Sequence, residues 1–176
     1  VSIIILATIF FPIFFGAAIL SVPEFRSRNH LLVAEGAGLV ITAVLAGCTL
    51  GSAETELFLF RLGYKLDIYF HPDSLGRIFA AVVTIVWVFA GFYSFEYMKH
   101  EREEKRYFGF YLMAFGVVLA LSFAGNIVTY YLFYELMTLF SVPLVLHSRT
   151  KEAVMGGLKY LFYSLCGAYI VLLGIY

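Results

Sequence analysis

An all-α integral membrane bundle of about six transmembrane helices, with a short surface hairpin between the second and third, is the fold class this sequence predicts. Three observations carry it. The 176 residues are 62% hydrophobic and only 14% charged, whereas a soluble domain is nearer half apolar and a quarter charged. Mean hydropathy is +0.90. The apolar residues also arrive in blocks of about twenty, the number a helix needs to cross the hydrocarbon, separated by short charged clusters.

The first block, roughly 2–22, has no basic stretch before it and no small-residue cleavage site, so it reads as a retained helix and not a signal peptide. Pro12 removes one intrahelical donor there and is a point for a bend. Further spans are expected at about 31–51, 74–95, 107–124, 127–147 and 153–176. The chain thus divides into helices one and two (1–52), an external hairpin loop (53–73), the third helix with a basic loop (74–106), and helices four to six (107–176). Within the external loop, "ELFLFRLGYKLDIYF" alternates apolar and polar residues around Leu62 and Gly63, which predicts a hairpin lying on the membrane surface. In "HPDSLGR", Asp73 or Ser74 is placed to cap the third helix.

Basic residues lie mostly at one end. Arg26, Arg28, Lys99, Arg102, Lys105, Arg106, Arg149 and Lys151 fall in loops expected on the same side. On the other side Arg61 and Lys65 are offset by Glu54, Glu56, Asp67 and Asp73. The positive-inside rule then puts the N-terminus outside and the basic loops in the cytoplasm, with the chain in the cell membrane.

The formal net charge is +0 and the sequence pI about 7.1, so no polybasic surface points to nucleic acid. The two cysteines, Cys48 and Cys166, sit in apolar blocks too far apart for a metal cluster and read as small packing residues. No metal-ligand cluster, nucleophile elbow, phosphate loop or dinucleotide fingerprint occurs. On this reading the chain has no catalytic site of its own and no cofactor.

The chemistry rests on charges inside the spans. Glu24, Glu35, Arg77 and Glu96 lie within two turns of a boundary, where side chains can snorkel or sit against a helix end. Glu35, inside "LLVAEGAGLV", is the least comfortable of these and a secondary candidate for a polar route. Glu135 is different. It stands nine residues after Asn126 and twelve before His147, about 14–18 Å from either end and so at the bilayer midplane. Lys159 lies about 10 Å beyond the turn at Glu152. Each such charge costs about 2.5–3.5 kcal/mol on insertion scales, and residues of this kind mark ion or proton paths.

Tyr131 and Thr138 share a helical face with Glu135, and Tyr163 shares one with Lys159. Gly156 and Gly157 allow a neighbouring backbone to approach. With the fifth and sixth spans antiparallel, the two charges would differ in depth by about 8 Å, within reach of direct or water-bridged coupling. His147, at the end of the fifth span, titrates near neutral pH and is a candidate access residue. Pro143 leaves the Leu139 carbonyl without its helical partner. A titrating pair would act as a proton relay, because burial and mutual attraction shift the two groups in opposite senses. A purely structural pair would fix helix register.

The stretches "DSLGRIFAAVVTIVWVFAGFYSFEYM", "NIVTYYLFYELMTLFSVPLVL" and "AVMGGLKYLFYS" together resemble the antiporter-like family. Its members are proton-pumping subunits of respiratory complex I, large subunits of Mrp cation/proton antiporters, and counterparts in membrane-bound hydrogenases. The likeness covers about residues 67–176 and rests on Asp73, "YSFEYM", the glutamate of "FYEL" (Glu135) and the lysine of "GLKY" (Lys159), in that order. It implies conduction through Glu135 and modulation or proton loading by Lys159. Tyr134 stands where many members have tryptophan. The family has about fourteen helices in two inverted repeats, and a lysine on a seventh, broken helix partners the fifth-span glutamate.

The chain ends at "LLGIY" and begins at Val1, so the resemblance implies the N-terminal portion of a longer subunit. Its expected partners are the lipid bilayer and other membrane subunits of an energy-converting complex, with protons or Na⁺ as the cargo. Two other readings stand beside this one: a non-conducting scaffold held by the Glu135–Lys159 pair, and a quinone- or redox-handling membrane enzyme. The spans lack haem-type histidine pairs, which weighs against an electron-transfer role.

Overall fold

A computed structural model describes residues 2–23, 27–61, 66–101 and 103–175. Its elements are α1 (Ser2–Ser21), α2 (Arg28–Leu50), β1 (Leu57–Arg61), β2 (Asp67–Phe70), α3 (Ser74–Tyr97), α4 (Glu104–Ser122), α5 (Ile127–Val145) and α6 (Lys151–Ile175). The protein is an all-α membrane bundle carrying one hairpin. Glu24, Arg26, Leu62, Gly63, Lys65 and Arg102, which bear on the expected charge bias and turn, lie outside the described residues.

Five helices (α1, α2, α3, α5 and α6) are long and apolar enough to cross a membrane. α4 opens on Glu104, Lys105 and Arg106 and carries no charge thereafter. It runs from the end where α3 finishes to the end where α5 starts, so it traverses the same thickness as its neighbours. It is also the centre of the bundle, packing on α1, α2, α3 and α5, while α6 packs on α5. Phe108, Leu112, Phe115 and Leu119 of α4 are fully buried with Ile5, Ile9 and Ile19 of α1 and Leu39 of α2.

Glycines set how closely α1 and α4 approach. A Cβ added at Gly16 would lie 2.5 Å from the carbonyl oxygen of Gly109, and one at Gly116 would lie 2.5 Å from that of Ile9. Small residues at such crossings let backbones meet and gain dispersion contacts where lipid offers no hydrophobic drive. Gly156 and Gly157 do not play this part: Gly156 has no atom near it and Gly157 abuts the side chain of Leu146.

Several helices begin or end beyond the expected boundaries because charged residues join their terminal turns. α2 starts at Arg28 and α4 at Glu104, and the two residues pair, Nε to Oε1, at 3.2 Å. Three basic residues at this end also satisfy carbonyls of helices that finish there. Lys105 Nζ donates to the Val22 carbonyl (2.9 Å) and Arg28 to the Phe95 carbonyl (2.7 Å). Arg106 donates to the carbonyls of Leu146 (3.3 Å) and His147 (2.8 Å). The last carbonyls of a helix lack intrahelical partners and carry its negative dipole end, so a cation there is doubly favourable.

At the opposite end the hairpin docks on the bundle. β1 and β2 pair antiparallel with an irregularity between Phe58 and Phe60. β2 buries Ile68 and Phe70 and is stitched to the α4–α5 turn. His71 N donates to the Phe123 carbonyl (2.8 Å) and Gly125 N to the Tyr69 carbonyl (3.0 Å), while Asn126 Nδ2 donates to the Asp67 carbonyl (2.7 Å). Asp73, not Ser74, caps α3 by accepting from Gly76 N at 2.7 Å.

The exposed Arg61–Asp67 pair closes the hairpin, and its hydrogen bond from Arg61 holds the Asp67 carboxyl below the usual carboxylate range. A depressed carboxylate stabilises the fold above its unfolded value and loses that contribution as pH falls through the lower folded value. A spin-label distance between the two strands is therefore expected to broaden on acidification. In Asp67→Asn it should be broad already and unresponsive to pH.

Both cysteines correct the sequence reading. Cys48 and Cys166 are exposed on the outer faces of α2 and α6 and do not pack the core.

Candidate functional site

α5 is placed from both ends. Asn126 caps it by accepting from Thr129 N at 2.7 Å while tying it to the hairpin, and Arg106 holds its last carbonyls. The helix continues through Pro143 to Val145. Glu135 therefore projects from the middle of a helix fixed at both termini. It is half-buried, and the Tyr131 hydroxyl one turn away interacts with it and with Tyr169 of α6.

Further along α5, two pairs of hydroxyls bridge the α5–α6 contact. Thr138, buried one turn beyond Glu135, bonds to Ser164 (Oγ1 to Oγ, 2.9 Å), and Ser141 bonds to the Tyr160 hydroxyl at 2.8 Å. Hydroxyls both donate and accept, so each pair can fix the two helices and orient a neighbouring proton without itself changing charge. Tyr131 lies against Glu135, while Thr138 is engaged with Ser164 of α6. Ser164, Ser141 and Tyr160 enter these pairs unannounced, because serine and tyrosine hydroxyls on separate helices leave no periodic signal of which will meet.

Lys159 does not meet Glu135. The less exposed stripe of α6 runs through Gly157, Leu161, Ser164, Leu165 and Ala168, and Lys159, two residues from Gly157, is rotated about 200° from it at 3.6 residues per turn. The lysine is exposed on the face away from α5. Among the described residues the ion pairs are Arg28–Glu104, Arg61–Asp67 and Lys99–Glu96, and Glu135–Lys159 is not one of them. Counting residues gives the depth of a charge but says nothing of its rotation about the helix axis. Tyr163 is exposed beside Lys159, its ring edge-on to Phe162 at 5.7 Å.

Glu35 overturns its snorkelling assignment. It is fully buried in α2, and neither carboxyl oxygen has a hydrogen-bond partner within the protein. Tyr107 and Tyr111 of α4 lie within electrostatic range of it. The Tyr111 hydroxyl is already committed, donating to the Trp87 carbonyl at 2.7 Å. Arg77 donates to the Pro72 carbonyl at 2.9 Å, and Glu96 pairs with Lys99 in the open; these two keep their boundary roles. His147 sits at the end of α5 with the Tyr107 ring edge-on at 5.7 Å. It lines a cavity with His100, Glu101, Glu103, Ser148 and Arg149.

The fold and this arrangement can be set against known proteins. The family described as NADH-ubiquinone oxidoreductase (complex I), chain 5 N-terminus, matches residues 60–108, from the end of β1 into α4. Glu135 and Lys159 lie beyond that segment. A Na⁺/H⁺ antiporter subunit of Bacillus subtilis (strain 168) is 22% identical over 157 residues, covering 86% of this chain and 32% of its own length. A second Na⁺/H⁺ antiporter subunit, A1 of Staphylococcus aureus (strain N315), is 25% identical over 137 residues, covering 77% of this chain and 17% of its own. The chain thus spans a third or less of the curated relatives it matches.

Proposed function

We propose that this chain, which is similar to Na⁺/H⁺ antiporter subunits and to the N-terminal family of complex I chain 5, is an antiporter-like membrane subunit that carries protons, or exchanges Na⁺ for protons, within a multi-subunit energy-converting redox complex. The observation that supports this best is Glu135. It is an ionisable group halfway along a spanning helix, half-buried, in contact with Tyr131 and on the helix whose hydroxyls pair with those of α6. Redox chemistry is assigned to partner subunits, and the basic end of the bundle to the cytoplasm.

In this reading Glu135 is the proton carrier of the subunit, with Tyr131 orienting it. Lys159 is a second charge, whose partner belongs to whatever protein covers the outer face of α6. An ammonium about 12 Å along a helix from its first residue is too costly to leave against hydrocarbon. The same face carries Met155, Phe162, Tyr163 and Ile170, all exposed, so a covering helix would find apolar contacts around one buried charge.

Lys159→Met keeps the length and apolar stem of the side chain and removes the charge. In the assembled complex in sealed vesicles, it is expected to lower ion translocation by about tenfold, less than the roughly 10²–10⁴-fold lost with a direct proton-transfer group, while assembly is retained. Translocation at the wild-type rate would overturn the assigned role.

A further inference from the structure

Glu35 is a fully buried carboxyl to which the α5–α6 contact gives no role. It has no exposure, lies about 10 Å along α2 from Arg28, and has both oxygens unpartnered in the protein. A buried polar group left so is normally removed from a sequence or used by it. On its α4 side are Tyr107 and Tyr111. Tyr107 also interacts with Ser94 of α3, and its ring packs edge-on against His147. His147 in turn faces a cavity of about 460 Å³ at the basic end. Glu35 in electrostatic range of Tyr107, the Tyr107 ring against His147, and His147 on the open cavity thus lie in succession from the bundle interior to the surface. The route crosses α2, α4 and the end of α5, apart from the α5–α6 contact.

We propose that Glu35 is a second protonation site, filled from the basic-end cavity through His147 and Tyr107. In each event one N–H bond of the His147 imidazolium breaks and one O–H bond forms on the Glu35 carboxylate. The Tyr107 hydroxyl, which meets Ser94 in this structure, turns to pass its own proton to Glu35 while taking the one from His147, and ends neutral with the incoming proton. Among the described residues, the charged and titratable groups around this path are Arg28 and Glu104 at the head of α2 and α4, Tyr97 and Tyr111, and Arg106, His100, Glu101, Glu103 and Arg149 at the cavity. The inference rests on the reading that this subunit moves protons, but its test does not depend on pumping.

The test uses infrared spectra of the whole purified complex in H₂O and D₂O. A protonated-carboxyl band is expected that is absent in Glu35→Gln and retained in Glu135→Gln. Glu35→Asp, which keeps the carboxyl, should shift the same band and so identifies it should Glu35→Gln fail to assemble. Hydrogen–deuterium exchange of that band is expected to slow by about a hundredfold or more in Tyr107→Phe and in His147→Gln, as befits loss of a proton-transfer group. External imidazole, small enough for the cavity, should restore the rate in His147→Gln. Exchange equally fast in all variants, or a band that never exchanges, would overturn the route. Loss of translocation in Glu135→Gln alone, with this exchange intact, leaves the Glu35 site standing. The reverse pattern leaves the Glu135 reading standing.

Discussion

Glu135→Gln is expected to reduce ion translocation by the assembled complex at least about a hundredfold while leaving the subunit in the membrane. Glutamine matches glutamate in volume and can still accept from Tyr131, but it cannot bind and release a proton. Proton-transfer groups contribute roughly 10²–10⁴-fold where they act. The scaffold reading expects the opposite, because a neutral isostere removes a buried charge without opening a cavity, and removing an unpaired charge from a low-dielectric site is stabilising or neutral. That reading needs a Glu135–Lys159 pair. With Lys159 on the far face of α6, the pair does not hold α5 to α6; Thr138–Ser164 and Ser141–Tyr160 do. The measurement is dye-reported acidification of sealed vesicles, with the amount of assembled complex checked in the same membranes. Full acidification by Glu135→Gln would remove the carrier role.

The substitution also separates two parts of the α5–α6 contact. Thr138→Val, nearly the same shape, would leave Ser164 without its partner, and the cost of one unmade buried hydrogen bond is about 1–3 kcal/mol. That loss falls on stability. Loss in Glu135→Gln falls on transport, so the two variants should be told apart by thermal denaturation of the complex in detergent.

What can be read from the sequence follows from what each inference needs. Existence and length of the spans need only hydropathy, and all six helices lie where blocks of apolar residues put them. Depth of a charge needs only counting, so Glu135 is recognisable as a mid-membrane group from its distance to Asn126 and His147. Rotation about a helix axis needs to know which stripe faces a neighbour. α6 carries polar residues on opposing sides, Lys159 on one and Ser164 toward the other, so its sequence does not fix that angle, and depth alone brings Lys159 to Glu135 when its rotation does not. Glu35 is misread for a related reason. Two turns from a helix end suffices for snorkelling only if that face is open, and α4, the most enclosed helix, lies across it. A signal is present in Tyr107 and Tyr111, spaced i, i+4 on one face of α4, but nothing in the chain says which helix that face meets. The basic residues carry two meanings at once. Arg28, Lys105 and Arg106 contribute to the charge bias used for orientation, and each also satisfies the end of a helix.

Gly116→Val is expected to have the largest effect on stability of any single change considered. Helices in lipid associate through close packing and not through hydrophobic exclusion, so the α1–α4 crossing depends on the distance its backbones can reach. At Gly116 the obstacle to a side chain is the backbone oxygen of Ile9, 2.5 Å from an added Cβ, with Pro12 and Ile13 side chains behind it. Backbone cannot turn aside as a flexible side chain can, and Pro12 locks φ one turn further along α1. The two helices must therefore separate or slide. Overpacking a well-filled core costs about 1–3 kcal/mol where side chains can yield, and here the loss should reach the upper end or exceed it. α4 is the helix on which α1, α2, α3 and α5 all rest, so displacement at this crossing spreads through the bundle. Thermal unfolding of the complex in detergent should show Gly116→Val melting well below wild type and Gly116→Ala between them. Gly47→Ala, where no atom lies within 4 Å of the added Cβ, should melt with wild type or slightly above, since alanine is the better helix former by about 1 kcal/mol. Equal melting of Gly116→Val and wild type would mean that α1 does not sit against α4 at this distance, and that the central position of α4 must be abandoned.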